Sequence, residues 1–175
     1  MKLFLSLLLL SAVGMVSAAD APRFDPKPII ERKIDLGQEA SLVLAKDGQA
    51  LFEIVLPASA TGVDRFAAEE LAEFTGKIIG SRPAITDKAS GTVPAFIIGN
   101  RDLAREWGLP LDQLDRDGFF IQTKGNLILI VGNDSPQLNP QRSAGWHERG
   151  TLNGVYDFLE RVGGIKFYFP SEYGI

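Results

Sequence analysis

The stretch "ATGVDRFAAEELAEFTGKIIG", residues 60–80, has the clearest helical periodicity in the chain. Its apolar residues recur at spacings of four, three and four, which places them on one face of a helix. They are Ala67, Leu71, Phe74 and Ile78. Thr61 with Asp64 three residues later predicts a capping box at the start, and Gly80 predicts the end. The sequence therefore predicts an amphipathic helix with one face packed on a core.

Short apolar runs on both sides of this helix predict β-strands. Upstream, "SLVLAKDGQALFEIVLP" places two apolar runs around Asp47-Gly48, a dipeptide suited to a tight hairpin turn. We expect strands at 41–46 and 50–57. Downstream, "PAFIIG" at 94–99 predicts a strand that is buried on both faces. The following "NRDLAREWG" predicts a short helix that ends at Gly108.

The second half of the chain predicts another hairpin and another helix. "DGFFIQTKGNLILIVGND" indicates strands at 118–123 and 126–132. Residues 133–149 have no periodicity, and a loop of that length tends to be functional or mobile. An apolar stripe then predicts a helix at 151–162, which Gly163-Gly164 ends before a last strand in "IKFYFP". The stripe consists of Leu152, Val155, Tyr156, Leu159 and Val162.

The order of these elements indicates the fold class. It is β-β-α-β-(α)-β-β-α-β, with the short helix in parentheses. We therefore predict an α/β protein of the α+β type, with a single mixed sheet of about six strands and two main helices packed on it. Gly150 and Gly154 fit close packing of the last helix against its neighbours.

The first nineteen residues have the pattern of a secretory signal peptide. Lys2 precedes an apolar run, and small residues follow up to Ala18 and Ala19, after either of which cleavage is expected. The run is too short to span a bilayer, so we expect no membrane attachment after cleavage. Residues 20–28 read as an extended linker and 29–175 as one domain. The expected location is secreted or periplasmic.

Composition narrows the classes of partner. The formal net charge is −4, and no basic run is clustered as nucleic-acid binding requires, so we expect no nucleic-acid partner. The chain has no cysteine, so packing rather than disulfides must stabilise it.

Catalytic and metal-binding patterns are incomplete throughout the chain. The only histidine, His147, stands in "GWHERG", but Thr151 occupies the place of the second histidine of a zinc H-E-x-x-H motif. Asp115 and Asp117 match two positions of a calcium loop whose bidentate glutamate would be Lys124. Asp157 and Glu160 share a helix face that we expect to be solvated. We therefore assign no catalytic residue, no metal site and no cofactor.

Several ordered motifs together resemble a known family. They are "EIVLP", "RFAAEELAEFTGKIIG", "FIIG", "DGFFIQTKGNLILIVG" and "RGTLNGVYDFLERVGGIKFYFP". This series, over about residues 40–170, resembles the non-catalytic N-terminal domain that precedes the catalytic barrel of bacterial α-glucuronidases and β-N-acetylhexosaminidase-type glycoside hydrolases. A similar module occurs in large secreted bacterial proteins of unknown function. Asn153 departs from the aromatic residue common at that position.

The resemblance implies a function without supplying catalytic residues, since the acid and base of those enzymes lie on the barrel. It implies a secreted accessory domain of a carbohydrate-active protein, with "PSEYGI" leading into a catalytic barrel as its partner. An alternative is a free-standing extracytoplasmic domain that binds carbohydrate or protein through Trp146, His147 and Arg149. An independent small hydrolase has the least support, because no nucleophile or acid and base set can be assembled.

Overall fold

The computed structural model describes residues 42–135 and 147–167. The leader, the linker and Trp146 lie outside these ranges, as do most of the 133–149 loop and the end of the "IKFYFP" segment. The structural statements below concern the described residues.

The predicted N-terminal hairpin is present but smaller than expected. Strands β1 (Ala45–Lys46) and β2 (Gln49–Ala50) pair antiparallel around the turn at Asp47 and Gly48. Both turn residues have the positive φ that such a turn requires. Strand β3 (Glu53–Val55) follows in a different sheet, so the strand predicted at 50–57 is in fact two. The break separates the exposed hairpin from the buried side chains of β3.

The main sheet has five strands, of which four are parallel. In chain order the others are β4 (Ile85–Thr86), β5 (Ala95–Ile98), β6 (Phe119–Lys124) and β7 (Leu127–Gly132). The spatial order is β4-β3-β5-β7-β6, and only β6 runs antiparallel, as an edge strand paired with β7. The α/β class and the mixed sheet are therefore confirmed. The strand count differs slightly from the expected six, because the main sheet has five strands and β1 and β2 form a separate two-stranded sheet.

Three helices cover the two faces of the sheet. Helices α1 (Gly62–Ile79) and α3 (Gly150–Arg161) pack on one face, and the short α2 (Arg101–Glu106) packs on the other. Alternate residues of each strand divide between the two cores, as the pleat requires. In β5, Phe96 and Ile98 face α1 and α3, whereas Ala95 and Ile97 face α2. The described residues thus form three layers, with the sheet between α1 and α3 on one side and α2 on the other.

The predicted helix faces are largely confirmed. Ala67, Leu71 and Phe74 of α1 are buried, as are Leu152, Val155 and Leu159 of α3. Two predicted core residues are instead exposed, Ile78 by 49% and Val162 by 64%. Both lie at the C-terminal end of a helix, Ile78 in the last turn of α1 and Val162 at the C-cap of α3. The described part of "IKFYFP", residues 165–167, is not a strand.

Close approach of α3 to the sheet depends on glycines, as predicted. A Cβ on Gly154 would lie 2.8 Å from Cγ2 of Ile130 in β7. A Cβ on Gly150 would overlap the carbonyl oxygen of Gly118 and the backbone of Asn133. No side chain larger than hydrogen fits at either position without displacing backbone or core atoms.

None of the helices in the described ranges has both the length and the apolar character needed to cross a membrane.

Candidate functional site

The ends of the parallel strands and the starts of the three helices meet at one edge of the sheet. β3 leads into α1, and β5 leads into α2 directly after Gly99-Asn100. β7 ends at Gly132, and α3 starts beside it, since Gly150 N donates a hydrogen bond to the Asn133 carbonyl over 2.9 Å. In open α/β sheets this carboxyl edge is where ligands bind, so it is the first place to look for a site.

The first buried carboxylate at this edge belongs to Asp64, in the first turn of α1. Its side chain is fully buried. Asp64 Oδ2 accepts hydrogen bonds from the backbone N–H of Thr61 over 2.7 Å and from the Thr61 hydroxyl over 2.8 Å. Thr61 Oγ1 in turn accepts the N–H of Asp64, so the predicted capping box is present. The start of α1 is therefore bound to its own carboxylate.

The second buried carboxylate is Asp134, two residues after the end of β7. Its side chain is also fully buried. Thr151, in the first turn of α3, donates its backbone N–H to Oδ1 over 2.9 Å and its hydroxyl to Oδ2. The Thr151 oxygen also accepts the N–H of Gly132 over 2.9 Å. Asp134 thus attaches the start of α3 to the end of β7.

Arg101 joins the two carboxylates. Its Nη1 donates to Asp64 Oδ2 over 3.1 Å and to the Gly99 carbonyl over 2.8 Å. Its Nη2 donates to both Asp64 Oδ1 and Asp134 Oδ2. We call Asp64, Arg101, Asp134 and Thr151 the edge network. It joins the first turns of all three helices to the ends of two strands.

The geometry of the edge network is that of a structural cluster. The N-terminus of a helix attracts anions, but Asp64 and Asp134 already occupy that position at α1 and α3. The terminal nitrogens of Arg101 donate to four acceptor atoms, which belong to Asp64, Gly99 and Asp134. Burial raises the pKa of the Asp134 carboxyl to about 6, and the hydrogen bonds from Thr151 oppose that rise. The cluster therefore holds the edge together and leaves neither carboxylate open to a substrate.

Two open crevices border the edge network on its solvent side. One, of about 300 Å³, lies between the loop before α1 and the start of α2. The other, of about 440 Å³, lies between α2 and the end of β7. Arg101, Arg105 and Asp134 line both, so the crevices adjoin.

Of the three residues singled out in the sequence, the structure describes His147 and Arg149, at the end of the segment that leads into α3. Trp146 lies outside the described residues. His147 is exposed, and a depression of only about 30 Å³ separates it from Arg116 and Asp117. Arg149 stands just before α3, where its backbone N–H donates to Asp117 Oδ1 over 2.6 Å. The binding role predicted for these three residues stays a prediction.

Neighbouring contacts explain how the His147 segment is held. Ser135 Oγ donates to Glu148 Oε2 over 2.8 Å and accepts the N–H of Glu148. The hydrogen bond from Ser135 keeps the pKa of the Glu148 carboxyl below its usual value. A β-bridge between Asp134 and Arg149 closes the base of the loop. The two described ends of the 133–149 segment are therefore tied together.

The edge network was missed by the sequence reasoning, although the sequence contains a signal for it. β5 and β7 both end in Gly-Asn followed by a charged residue, in "GNR" at 99–101 and "GND" at 132–134. The carboxyl ends of neighbouring parallel strands meet at one edge, so Arg101 and Asp134 were candidates for an ion pair. Recognising this requires that β5 and β7 be known as parallel neighbours.

Within residues 42–135 and 147–167, no three histidine, cysteine, aspartate or glutamate side chains are grouped so that they could hold a metal ion. The side-chain polar atoms buried in these ranges all have hydrogen-bond partners.

Comparison with known proteins supplies the family. A family model described as "Glycosyl hydrolase family 67 N-terminus" matches residues 40–138, which is more than half of the chain. The chain belongs to this family. The resemblance seen in the sequence to the N-terminal domain of α-glucuronidases is thus confirmed. The matched residues include Asp64, Arg101 and Asp134 but stop before α3.

Curated relatives of this family member agree with the assignment. It is 27% identical over 99 residues to the probable alpha-glucuronidase A of Aspergillus fumigatus strain CBS 144.89. It is 25% identical over 99 residues to the protein of the same name from Neosartorya fischeri. Each alignment covers 55% of this chain but 10% of the relative. The segment that matches is therefore a small part of a much longer protein in those fungi.

Proposed function

We propose that this chain is a secreted, non-catalytic accessory domain of a glycoside hydrolase-like protein, which packs on a catalytic barrel and supports polysaccharide degradation. The observation that carries the proposal is the match to the N-terminus of glycosyl hydrolase family 67. In relatives named as probable alpha-glucuronidases, the matched segment makes up a tenth of the chain. Most of each relative is therefore available for the catalytic part.

The edge network supports the non-catalytic part of the proposal. Glycoside hydrolysis uses two carboxyl groups that flank the sugar, one of them free to donate a proton. Asp64 and Asp134 are the buried pair nearest to that description, yet both are hydrogen-bonded to protein donors and share Arg101. Opening either of them would break a helix start. A structural role is consistent with every contact that they make.

The first test is hydrolysis by the purified protein. Xylo-oligosaccharides that bear glucuronic acid are incubated with it, and released glucuronic acid is measured by chromatography. We expect no release above a protein-free blank. Turnover that survives repurification and disappears in Asp134→Asn would contradict the non-catalytic role.

A second test concerns the barrel and the export. The coding DNA beyond codon 175 is sequenced, and a reading frame that encodes a barrel with two carboxylates supports the accessory role. For export, the chain is expressed with its leader, and the mature N-terminus is determined by mass spectrometry. A mature chain that begins after Ala18 or Ala19 supports secretion. Retention of Met1 in the cell would contradict it.

The alternative function is a free-standing domain that binds carbohydrate or protein. It is favoured by the exposure of His147 beside a segment whose backbone is anchored at Arg149. A loop held at both ends is a suitable place for contact residues. A stop codon after residue 175, together with sugar binding that is lost in Trp146→Ala, would favour this alternative over the accessory domain.

A further inference from the structure

The smaller of the two crevices lies where the direction of chain winding changes, between β3 and β5. From β3 the chain passes through α1 to β4 on one side, and it then returns to β5 on the other side of β3. α1 covers one face of the sheet and α2 the other, so the loops after β3 and β5 diverge. Ligands of open α/β sheets bind in the crevice that such diverging loops create. The 300 Å³ crevice lies there, between Ser59 and Thr61 on one side and Gly99 and Asp102 on the other.

The floor of the crevices is held in place by several hydrogen bonds. The edge network holds Arg101 and Asp134 by contacts from two helices and two strand ends. Gly99, with φ +69, is packed so closely on Asp64 that a Cβ would overlap the carboxylate. A floor that does not have to be ordered on binding loses less entropy when a ligand arrives.

The walls of the crevices carry polar side chains that can form hydrogen bonds with a ligand. The side chains of Ser59, Asp112 and Asn133 are exposed, and they make no side-chain hydrogen bond within the described residues. Arg105 pairs with Asp102 over 2.8 Å, but their side chains are 65% and 88% exposed. Such surface pairs contribute little and can be replaced by a ligand. Leu109 and Leu111 add a half-buried apolar wall.

Charge at the crevices selects the class of ligand. Arg101 is balanced by two carboxylates, and Arg105 by Asp102. Among residues 42–135 and 147–167, Asp112 in the second crevice has no ion-pair partner. No excess positive charge therefore attracts an anion. Hydroxyl groups both donate and accept, and they match a lining that offers guanidinium, amide, hydroxyl and carboxylate groups together.

We propose that the adjoining crevices form a binding site for one or two rings of a neutral sugar chain. Arg105, Asp102 and Asn133 hydrogen-bond ring hydroxyls, and Leu109 with Leu111 contacts the C–H face of a ring. Volumes of about 300 and 440 Å³ fall in the range of about 300–1,000 Å³ found for small-molecule sites. The inference goes beyond the proposed accessory function. It does not depend on that function, because a non-catalytic role neither requires nor excludes sugar binding.

The test is an NMR titration of the purified, isotope-labelled protein with xylotetraose, cellotetraose and D-glucuronate. We expect at least one tetrasaccharide to shift the amide signals of Ser59, Gly99, Asp102, Arg105 and Asn133 in a saturable manner. D-glucuronate is expected to bind at least about tenfold more weakly, because the site lacks excess positive charge. Absence of saturable shifts from either tetrasaccharide at 20 mM, taken as roughly the weak limit of a specific site, would overturn the proposal.

Variants separate this site from other surfaces. Arg105→Ala is expected to raise the Kd of the binding tetrasaccharide about tenfold, the loss of one charge-assisted hydrogen bond. Arg82→Ala is the matched control, because Arg82 is also exposed and paired, with Glu69, but does not line either crevice. Trp146→Ala is expected to leave the Kd unchanged. Binding that is lost in Trp146→Ala and kept in Arg105→Ala, or glucuronate that binds more tightly than both tetrasaccharides, would overturn the assignment.

Discussion

The starts of α1 and α3 both rest on a buried carboxylate that contacts Arg101, but the two carboxylates come from different distances along the chain. Asp64 lies three residues after Thr61 in the helix that it caps. Asp134 lies 17 residues before Thr151, beyond the end of β7. The same chemistry is thus encoded locally at α1 and by tertiary structure at α3. The capping hydrogen bonds of α1 come from its own sequence, whereas those of α3 need the sheet to be formed.

Removal of the shared cation should have the largest effect on both helix starts. Arg101→Met leaves two carboxylates buried without their positive partner, which we expect to lower the free energy of unfolding by about 3–5 kcal/mol. Chemical denaturation of the purified protein measures the loss. Arg82→Met, which breaks the exposed pair with Glu69, serves as control and should cost no more than about 1 kcal/mol. An equal loss of unfolding free energy in the two variants would mean that Arg101 stabilises the fold no more than an exposed ion pair does.

Crowding at the start of α3 gives the next largest effect. Gly150 is helical, and helix propensity alone would make Gly150→Ala stabilising by about 1 kcal/mol. The new methyl group would overlap the backbone of Gly118 and Asn133, so we expect a loss of about 2–3 kcal/mol instead.

The matched substitution in α1 is Gly76→Ala, where the nearest atom, Cα of Arg82, lies at 3.3 Å. It should change stability by less than about 1 kcal/mol. Thermal or chemical unfolding compares the two variants. A stabilised Gly150→Ala would show that α3 does not pack as closely as the structure has it.

The pH dependence of stability should report on the carboxylate at α3. Since burial raises the pKa of Asp134 from 3.8 to about 6, the folded state binds this proton more tightly than the unfolded state. The associated stability is fully present below pH 3.8 and is lost as the pH rises through about 6. Its size is about 2–3 kcal/mol.

The measurement is chemical denaturation of wild type and Asp134→Asn at several pH values between 4 and 7. The wild-type stability minus that of the variant should fall over this interval, because the variant cannot titrate at this position. A constant difference would show that burial does not control this carboxyl. Other carboxyl groups titrate alike in both proteins and cancel in the difference.

The threonines at the two helix starts, Thr61 at the N-cap of α1 and Thr151 in the first turn of α3, provide the smallest test of the comparison. Thr151→Val leaves the N–H of Gly132 without its acceptor and removes one of the two donors to Asp134 Oδ2, at a cost of about 2 kcal/mol. Thr61→Ala removes an ordinary helix cap, at a cost of about 1 kcal/mol. Denaturation curves distinguish them. A larger loss for Thr61→Ala would reverse the ranking of local and tertiary contacts.

This difference also explains what the sequence could predict. The capping box of Thr61 and Asp64, the end at Gly80 and the apolar face of α3 are local patterns, and the structure confirms them. β4 has two residues and no pattern of its own, because pairing with β3 defines it. Periodicity places Ile78 and Val162 on the apolar faces, but it does not encode how far along a helix the core contacts extend, and both residues are exposed.

The candidate site was harder to predict than the fold for the same reason. Asp64 and Arg101 are 37 residues apart, and Arg101 and Asp134 are 33 apart. No local spacing relates them, so their contact becomes visible only when the order of parallel strands is known. The residues around His147 attracted attention because a lone histidine and a tryptophan are conspicuous in a sequence. Arg105 and Asp102 look like ordinary helix charges until the crevices beside them are seen.

The hydrogen bonds from Thr151 to Asp134 have a consequence for where the gene can be cut. The segment matched by the family ends at residue 138, before α3 begins. A fragment ended there would deprive Asp134 of those two donors and would remove Leu152, Val155 and Leu159 from the core. The segment that matches the family is therefore shorter than the folded domain, because the domain also includes α3. A recombinant protein that ends at residue 138 would lack α3 and the hydrogen bonds that attach α3 to Asp134.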